Sequence, residues 1–118
     1  IEPISLLLIS ASLESGEKIS GKCTSCHSFD KGGKHKIGPN LYDIINSPIG
    51  KKDSYAYSSA MSGFEGNWTY ENISAFLYKP KDYINGTKMN FIGLKNVEDR
   101  ANLVLWLREN SDNSIPLP

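Results

Sequence analysis

The sequence predicts an all-α domain of three to five helices with two unusually long loops. Helical patterns occupy several segments, whereas no stretch alternates polar and apolar residues over the length of a convincing strand. Glycine and proline punctuate residues 28–40 and 80–96, which we therefore expect to be loops. Because loops of this length are uncommon inside a small domain, they should have something to pack against.

Two helices are predicted in the first 24 residues. Residues 3–11 indicate a short helix with Pro3 at its first position, although this apolar run is also typical of the end of a signal peptide. Residues 14–24 indicate a weaker helix, because Gly16 and Gly21 loosen it. Short helical turns are expected further along, at residues 41–45 and 58–62.

Two longer helices are predicted in the second half of the chain. Thr69 is suited to be an N-cap, and the helix that follows it should end before Pro80. Asn96 and Asp99 have the spacing of a capping arrangement at the start of the last helix. That helix should run to about Glu109 and bury a wide apolar face.

The composition suggests that the core is completed by a bound group. Apolar residues make up 39% of the chain, which is low for a globular domain. The net charge is zero, yet nine of the thirteen Lys and Arg residues lie in residues 18–36 and 79–95, which hold only two carboxylates. If these segments fold side by side, their positive field will steer an acidic partner.

The ends of the chain bear on localisation. No apolar run approaches the roughly 18–20 residues of a membrane span. Because the chain opens with Ile1 and not Met, we expect that an upstream signal peptide or membrane anchor has been removed. We expect one domain over residues 1–118, with an N-terminal extension at 1–13 and a C-terminal tail at 110–118.

The only two cysteines and one of the two histidines form a single cluster, Cys23-Thr24-Ser25-Cys26-His27. Zinc requires four ligands, and a histidine beside a cysteine ligand is poorly placed to reach the same metal. A redox dithiol belongs in a βαβ setting, of which the sequence shows no sign. A disulfide across two residues would constrain little chain entropy.

Covalent attachment of haem accounts for every residue of this cluster. Two thiols add to the two vinyl groups of the porphyrin, and the following histidine offers a ring nitrogen to the iron. The sequence therefore predicts one haem c, bound through Cys23 and Cys26, with His27 as an iron ligand. A porphyrin would also supply the missing part of the core.

Three side chains are candidates for the opposite side of the iron. His35 follows His27 too closely to reach that side easily, and we interpret it as bracing a loop by donating to a backbone carbonyl. Met61 follows a serine-rich turn and is more typical of a packing residue. Met89 lies in the second long loop, which is able to bend over the haem, and is the favoured ligand.

Five segments, in order, resemble class I cytochromes c of the mitochondrial and alphaproteobacterial type, and the two ends of the chain resemble the bacterial membrane-anchored cytochromes c of this group. The five segments are KCTSCH, KGGKHKIGPNLYDI, NWTYENISAFL, PKDYINGTKMNF and DRANLVLWLRE. The resemblance covers nearly all of residues 16–109 and is far more specific than the cysteine motif alone. It implies a small cytochrome c fold, with long loops wrapped around one covalently bound haem.

The resemblance also implies roles for individual residues. The Pro39 carbonyl is expected to accept from the second nitrogen of His27, and Gly16 and Trp106 to meet where the first and last helices cross. Tyr57 and Trp68 are implied to donate to a haem propionate. Other residues implied to lie at the haem are Thr87, Met89 and Phe91. The lysines implied to ring the exposed haem edge are Lys22, Lys36, Lys81 and Lys88.

Three positions depart from the family pattern. Phe76 stands where a tyrosine often bonds the methionine sulfur, Ser47 replaces a basic residue near a propionate, and Asn85 replaces the proline of the methionine loop. We expect methionine ligation to survive, with changes in the reduction potential and in the stiffness of the loop.

These features predict a one-electron carrier of a respiratory chain and not an enzyme. We expect it to be a monomer in the bacterial periplasm, free or tethered to the inner membrane. The expected partners are acidic redox proteins such as a quinol–cytochrome c reductase and a terminal cytochrome oxidase, with no role for nucleic acid. The alternative is a haem peroxidase or gas-binding sensor with an open sixth position, which the absence of a tyrosine hydroxyl at Phe76 favours.

Overall fold

In the part of the chain that the structure describes, six helices, three of them only one turn long, make up the regular structure. The computed structural model describes residues 1–112 and 114–118. The helices are α1 (Ser5–Leu8), α2 (Leu13–Ser20), α3 (Ser59–Ser62), α4 (Tyr70–Tyr78), α5 (Pro80–Tyr83) and α6 (Val97–Glu109). In the described residues the only strand-like pairing is an isolated bridge between Pro48 and Asn67. The all-α prediction is confirmed, with six helices in place of three to five.

The centre of the fold is the crossing of α2 and α6. A Cβ built on Gly16 would lie 2.1 Å from the Asn102 carbonyl oxygen and 2.7 Å from Trp106 Cβ, so only glycine permits this approach. Helix α6 buries Leu103, Val104 and neighbouring apolar residues on a wide face, as predicted. The contact between Gly16 and Trp106 that the resemblance implies is therefore present, although α2 is the second helix and not the first.

The predicted caps of the two longer helices are confirmed. Thr69 Oγ1 accepts from the backbone N–H of Asn72 at 3.1 Å, and α4 ends two residues before Pro80. Asn96 Oδ1 accepts from the N–H of Asp99 at 3.0 Å, and α6 ends at Glu109. In both cases a side-chain oxygen satisfies an amide that the helix itself leaves unpaired.

Three elements differ from prediction. The first helix is only α1, with Pro3 outside it, and the second begins at Leu13 because Ser12 Oγ accepts from Ser15 N–H at 3.0 Å. Residues 41–45 form turns, since Asp43 adopts a φ of 60° that no α-helix contains. Residues 80–96, predicted as loop throughout, begin with α5, where Pro80 takes the first helical position.

Two buried residues and one carboxylate attach the segment 4–8 to the rest of the fold. Ile4 and Leu8 are buried in the core. The Glu71 carboxylate accepts from the N–H groups of Ile4 and Ser5 at 2.9–3.2 Å and so caps α1 from outside. None of the helices in the described part of the chain has the length and apolar character to cross a membrane.

Candidate functional site

One apolar cavity of about 260 Å³ joins the cysteine cluster to both long loops. The cluster follows α2 directly, the apolar face of α4 contributes one wall, and the loop before α6 contributes another. All nine residues expected to contact a cofactor line this cavity. They are Cys23, Cys26, His27, Pro39, Tyr57, Trp68, Thr87, Met89 and Phe91.

Among the described residues only one nitrogen of the His27 imidazole has a hydrogen-bond partner. Nδ1 lies 2.7 Å from the Pro39 carbonyl oxygen, and because a carbonyl only accepts, Nδ1 carries the hydrogen. Burial lowers the pKa of His27, and the Lys36 cation lowers it further, although the bond to Pro39 opposes both. The ring is therefore neutral at neutral pH, and Nε2 is the nitrogen able to bind a metal.

A tight turn holds the two cysteines and His27 at the cavity. The N–H groups of Cys26 and His27 both donate to the Cys23 carbonyl, at 3.1 and 2.9 Å. Both side chains are half-buried free thiols. Burial raises the pKa of Cys23, the neighbouring Cys26 adds to this, and Lys22 opposes it. Cys23 is therefore a thiol and not a thiolate at neutral pH.

Gly38 forms a cradle for the His27 ring. A Cβ at this position would fall 2.3 Å from Cε1 and 2.7 Å from Nδ1 of His27. The Gly38 N–H also donates to the Cys26 carbonyl at 2.7 Å, which ties this loop to the cysteine turn. Sequence reasoning assigned Gly38 no role, because its neighbourhood of glycine and proline indicated only a loop.

Two methionines face the cavity, and His35 does not. Met89 is half-buried, and its N–H donates to Thr87 Oγ1 at 3.3 Å. Met61 was interpreted as packing, yet it also lines the cavity and is therefore a second sulfur available there. His35 instead accepts from Asn40 N–H at 2.9 Å and donates to the Asp53 carbonyl at 2.8 Å. Its interpretation as a loop brace is confirmed.

Two hydrogen-bond donors lie in the aromatic wall of the cavity. Trp68 is only 5% exposed, and none of the described residues accepts from its indole N–H. The Tyr57 hydroxyl accepts from Lys52 N–H at 3.3 Å, which leaves its own hydrogen for another acceptor. Two donors beside an apolar cavity fit a flat hydrophobic group that carries carboxylates, as haem does.

The three departures from the family pattern lie in different places. Phe76 lines the cavity and packs against Trp68 with ring centroids 5.1 Å apart. Ser47 lies outside the cavity and donates to the Ile44 carbonyl at 2.6 Å. Asn85 is exposed on the loop before Met89 and is also outside the cavity lining.

Of the four lysines expected around the site, two border the cavity and two lie outside it. Within the described residues none of them pairs with a carboxylate, whereas Lys18, Lys31 and Lys79 do. Lys22 and Lys88 border the cavity, which brings the two basic segments together there. Lys36 donates to the Thr24 carbonyl at 2.5 Å, and Lys81 to the Thr87 carbonyl at 3.4 Å, both outside the lining.

Several lining residues carried no signal in the sequence. Tyr55 lies between the helical turns predicted at residues 41–45 and 58–62, and its hydroxyl donates to the Ile37 carbonyl at 2.5 Å. Its ring packs edge-on against Tyr57 at 4.8 Å. Other lining residues that were not predicted are Ile37, Leu41, Ile44, Ser58 and Asn90. An isolated aromatic or aliphatic residue in a loop is visible only as something that prefers burial.

Several known proteins are similar to this chain in sequence. The sequence profile of the cytochrome c family matches residues 13–111. A "cytochrome c homolog" of Bradyrhizobium diazoefficiens is 39% identical over 118 residues, which are 99% of this chain and 64% of that protein. One from Rickettsia bellii is 42% identical over 102 residues, which are 86% of this chain and 59% of that protein.

A plant relative is covered over more of its length. The "cytochrome c" of Nigella damascena is 42% identical over 98 residues, which are 82% of this chain and 88% of that protein. The chain thus spans less than two thirds of the two bacterial relatives and most of the plant one.

Proposed function

The chain belongs to the cytochrome c family, and from this premise we propose that it carries single electrons along a respiratory chain, from a quinol-oxidising complex to a terminal oxidase. Membership of the family implies one haem c, covalently held by Cys23 and Cys26, and a role as an electron carrier. The bound haem supplies an iron that alternates between Fe(II) and Fe(III).

The observation that carries the proposal is the cavity shared by His27 and Met89. His27 would bind the iron through Nε2, because its Nδ1 is occupied by Pro39, and this bond makes the imidazole a more basic ligand. Met89 would offer a neutral thioether from the opposite loop. If His27 and Met89 both hold the iron, it would have no ready site for a substrate, which would suit electron transfer and not catalysis.

The cavity walls support a high reduction potential. A thioether ligand favours the ferrous form, and an apolar wall penalises the additional charge of the ferric centre. Apolar residues of α4 and α6 supply that wall, including Ile73, Phe76, Leu77 and Leu107. They would also keep water away from the iron and so reduce the reorganisation that accompanies each transfer.

The partners would be acidic redox proteins. Lys22 and Lys88 border the cavity without carboxylate partners among the described residues, and a positive field there would steer an acidic surface toward the haem. We place the protein in the bacterial periplasm, free or tethered to the inner membrane, because haem is attached to such motifs outside the cytoplasm.

An optical spectrum of the purified protein tests the proposal. We expect a low-spin ferric spectrum with a sulfur-to-iron charge-transfer band near the red end. We also expect that brief exposure to CO leaves the spectrum of the reduced protein unchanged. A high-spin ferric spectrum that shifts at once with cyanide, or immediate CO binding, would support the peroxidase or sensor alternative instead. A colourless protein would overturn both.

A further inference from the structure

We propose that His35, besides bracing a loop, is a positioning residue that strengthens the hydrogen bond between His27 and Pro39. It would act through the peptide group that joins Pro39 to Asn40. The inference rests on the proposed function, because it requires His27 to bind the iron.

The hydrogen-bond partners of His35 fix its tautomer. Nδ1 lies 2.9 Å from the backbone nitrogen of Asn40, which only donates, so Nδ1 is bare and accepts. Nε2 lies 2.8 Å from the carbonyl oxygen of Asp53, which only accepts, so Nε2 carries the hydrogen. The ring thus joins two loops and accepts at one end while it donates at the other.

The two histidines bond to opposite ends of one peptide unit. The Asn40 N–H donates to His35, and the Pro39 carbonyl of the same amide accepts from His27 at 2.7 Å. Hydrogen bonds in such a chain polarise one another, so a good acceptor for the N–H makes the carbonyl a better acceptor. A stronger bond to His27 makes its imidazole more electron-donating, which stabilises the ferric form.

The position of this peptide is also fixed without His35. The Asn40 side chain is buried, and its Nδ2 donates to Ser28 Oγ and to the Asp30 carbonyl, each at 2.9 Å. Asn40 Oδ1 accepts from Tyr42 N–H at 3.0 Å, and Leu41 N–H donates to the Ser28 carbonyl at 2.9 Å. The electronic effect of His35 is therefore separable from its effect on the loop.

Two substitutions separate the two roles. In His35→Asn the amide oxygen lies near the position of Nδ1 and can accept from Asn40, but the donor to Asp53 is lost. In His35→Gln the amide lies near the position of Nε2 and can donate to Asp53, but the acceptor for Asn40 is lost. The two variants have the same charge, and each removes one of the two hydrogen bonds.

Two quantities are measured in the holoprotein. One is the midpoint potential, and the other is the NMR signal of the His27 Nδ1 proton in the reduced state. We expect His35→Gln to raise the potential and shift that proton upfield, whereas His35→Asn stays close to wild type in both. Equal shifts in the two variants, or none in either, would overturn the inference while leaving the proposed function intact. A wild-type protein whose His27 shows no signature of iron ligation would overturn the proposed function itself.

A measurement on the wild type covers the case in which a variant fails to accumulate. A trans-hydrogen-bond coupling between the Asn40 amide nitrogen and His35 Nδ1 is expected in the isotope-labelled ferrous protein. Absence of that coupling, with the His35 ring nitrogens assigned, would show that the acceptor role does not exist.

Discussion

Gly38 lies against the His27 imidazole so closely that a Cβ on the glycine would fall 2.3 Å from Cε1 of the ring. The next residue, Pro39, accepts the hydrogen bond from Nδ1 of the same ring at 2.7 Å. A single turn of the chain therefore sets both the orientation of the imidazole and the nitrogen that remains free.

Replacement of Gly38 by alanine should displace the His27 ring. The added methyl has no space, and overpacking of this kind costs about 1–3 kcal/mol. We expect a lower midpoint in denaturant unfolding and a partial loss of the low-spin ferric spectrum, because Nδ1 can no longer align with Pro39. Gly63→Ala is the control: its nearest neighbour would be Ser59 O at 3.1 Å, away from His27, and it should leave the spectrum unchanged.

Met89→Leu and Met61→Leu should have opposite spectroscopic outcomes. Both methionines line the cavity, and both substitutions conserve volume, so each should cost less than about 1.5 kcal/mol in packing. We expect the sulfur-to-iron band to vanish in Met89→Leu, with rapid CO binding to the reduced protein, and to persist in Met61→Leu. The reverse pattern would assign the sixth position to Met61.

The helices with local signals could be predicted from the sequence. Thr69 and Asn96 are capping residues that accept from an N–H three positions ahead, so both partners lie in one short stretch of the sequence. The prediction of helical turns at residues 41–45 was wrong, because Asp43 has a positive φ and takes part in tertiary hydrogen bonds. Its N–H donates to the Asn110 carbonyl, and its carboxylate accepts from the Asp112 N–H. Such contacts join residues nearly 70 positions apart and leave no local pattern.

The residues of the candidate site also fall into those that the sequence predicts and those that only the fold brings to the cavity. Cys23, Cys26 and His27 form one contiguous motif, so their chemistry could be read directly. Gly38 and Met61 face the cavity only because loops distant in the sequence fold toward it. A glycine that leaves space for a side-chain ring and a glycine that ends a turn look identical in a sequence. The contact of Gly38 with the His27 ring was therefore not predicted.

Neutralising lysines at the cavity should slow electron transfer to an acidic partner. Lys22→Gln and Lys88→Gln each remove one positive charge beside the cavity, and we expect a several-fold lower second-order rate at low ionic strength. Lys18→Gln is the matched control, since Lys18 already pairs with Glu14 at 3.7 Å. Stopped-flow rates across a salt series measure the effect, and a wild-type rate indifferent to salt would remove the lysines from the mechanism.

Arg100 should contribute far more to stability than its ion-pair partner. Its side chain is fully buried and donates to Ser74 Oγ and to the carbonyls of Leu94 and Lys95 at 2.9–3.1 Å. Arg100→Met leaves these acceptors unpaired, and we expect a loss of about 2–4 kcal/mol. Glu2 is 61% exposed, so Glu2→Gln should lower the stability far less, because solvent screens an exposed carboxylate. Denaturant unfolding of both variants measures the difference, and equal losses would contradict it.

Helix α1 should loosen in mild acid because Glu71 caps it. Burial raises the pKa of Glu71, but bonds from the Ser5 hydroxyl and from the Ile4 and Ser5 amides together hold it below the ordinary value of 4.5. The folded state thus favours the carboxylate. The stabilisation is fully present above about pH 4.5 and is lost as pH falls through the lower folded value.

Amide hydrogen exchange at Leu8, whose N–H donates to the Ile4 carbonyl at 3.0 Å, reports on α1 directly. In the wild type, corrected for intrinsic rates, its protection should decline as pH falls below 4.5. In Glu71→Gln it should be lower at neutral pH and nearly flat over that range, because an amide has no proton to gain. Glu2 and Asp112, whose pKa values are also lowered, remain in both proteins, so their contribution cancels in the difference. Parallel profiles in the two proteins would show that Glu71 is not the titrating group.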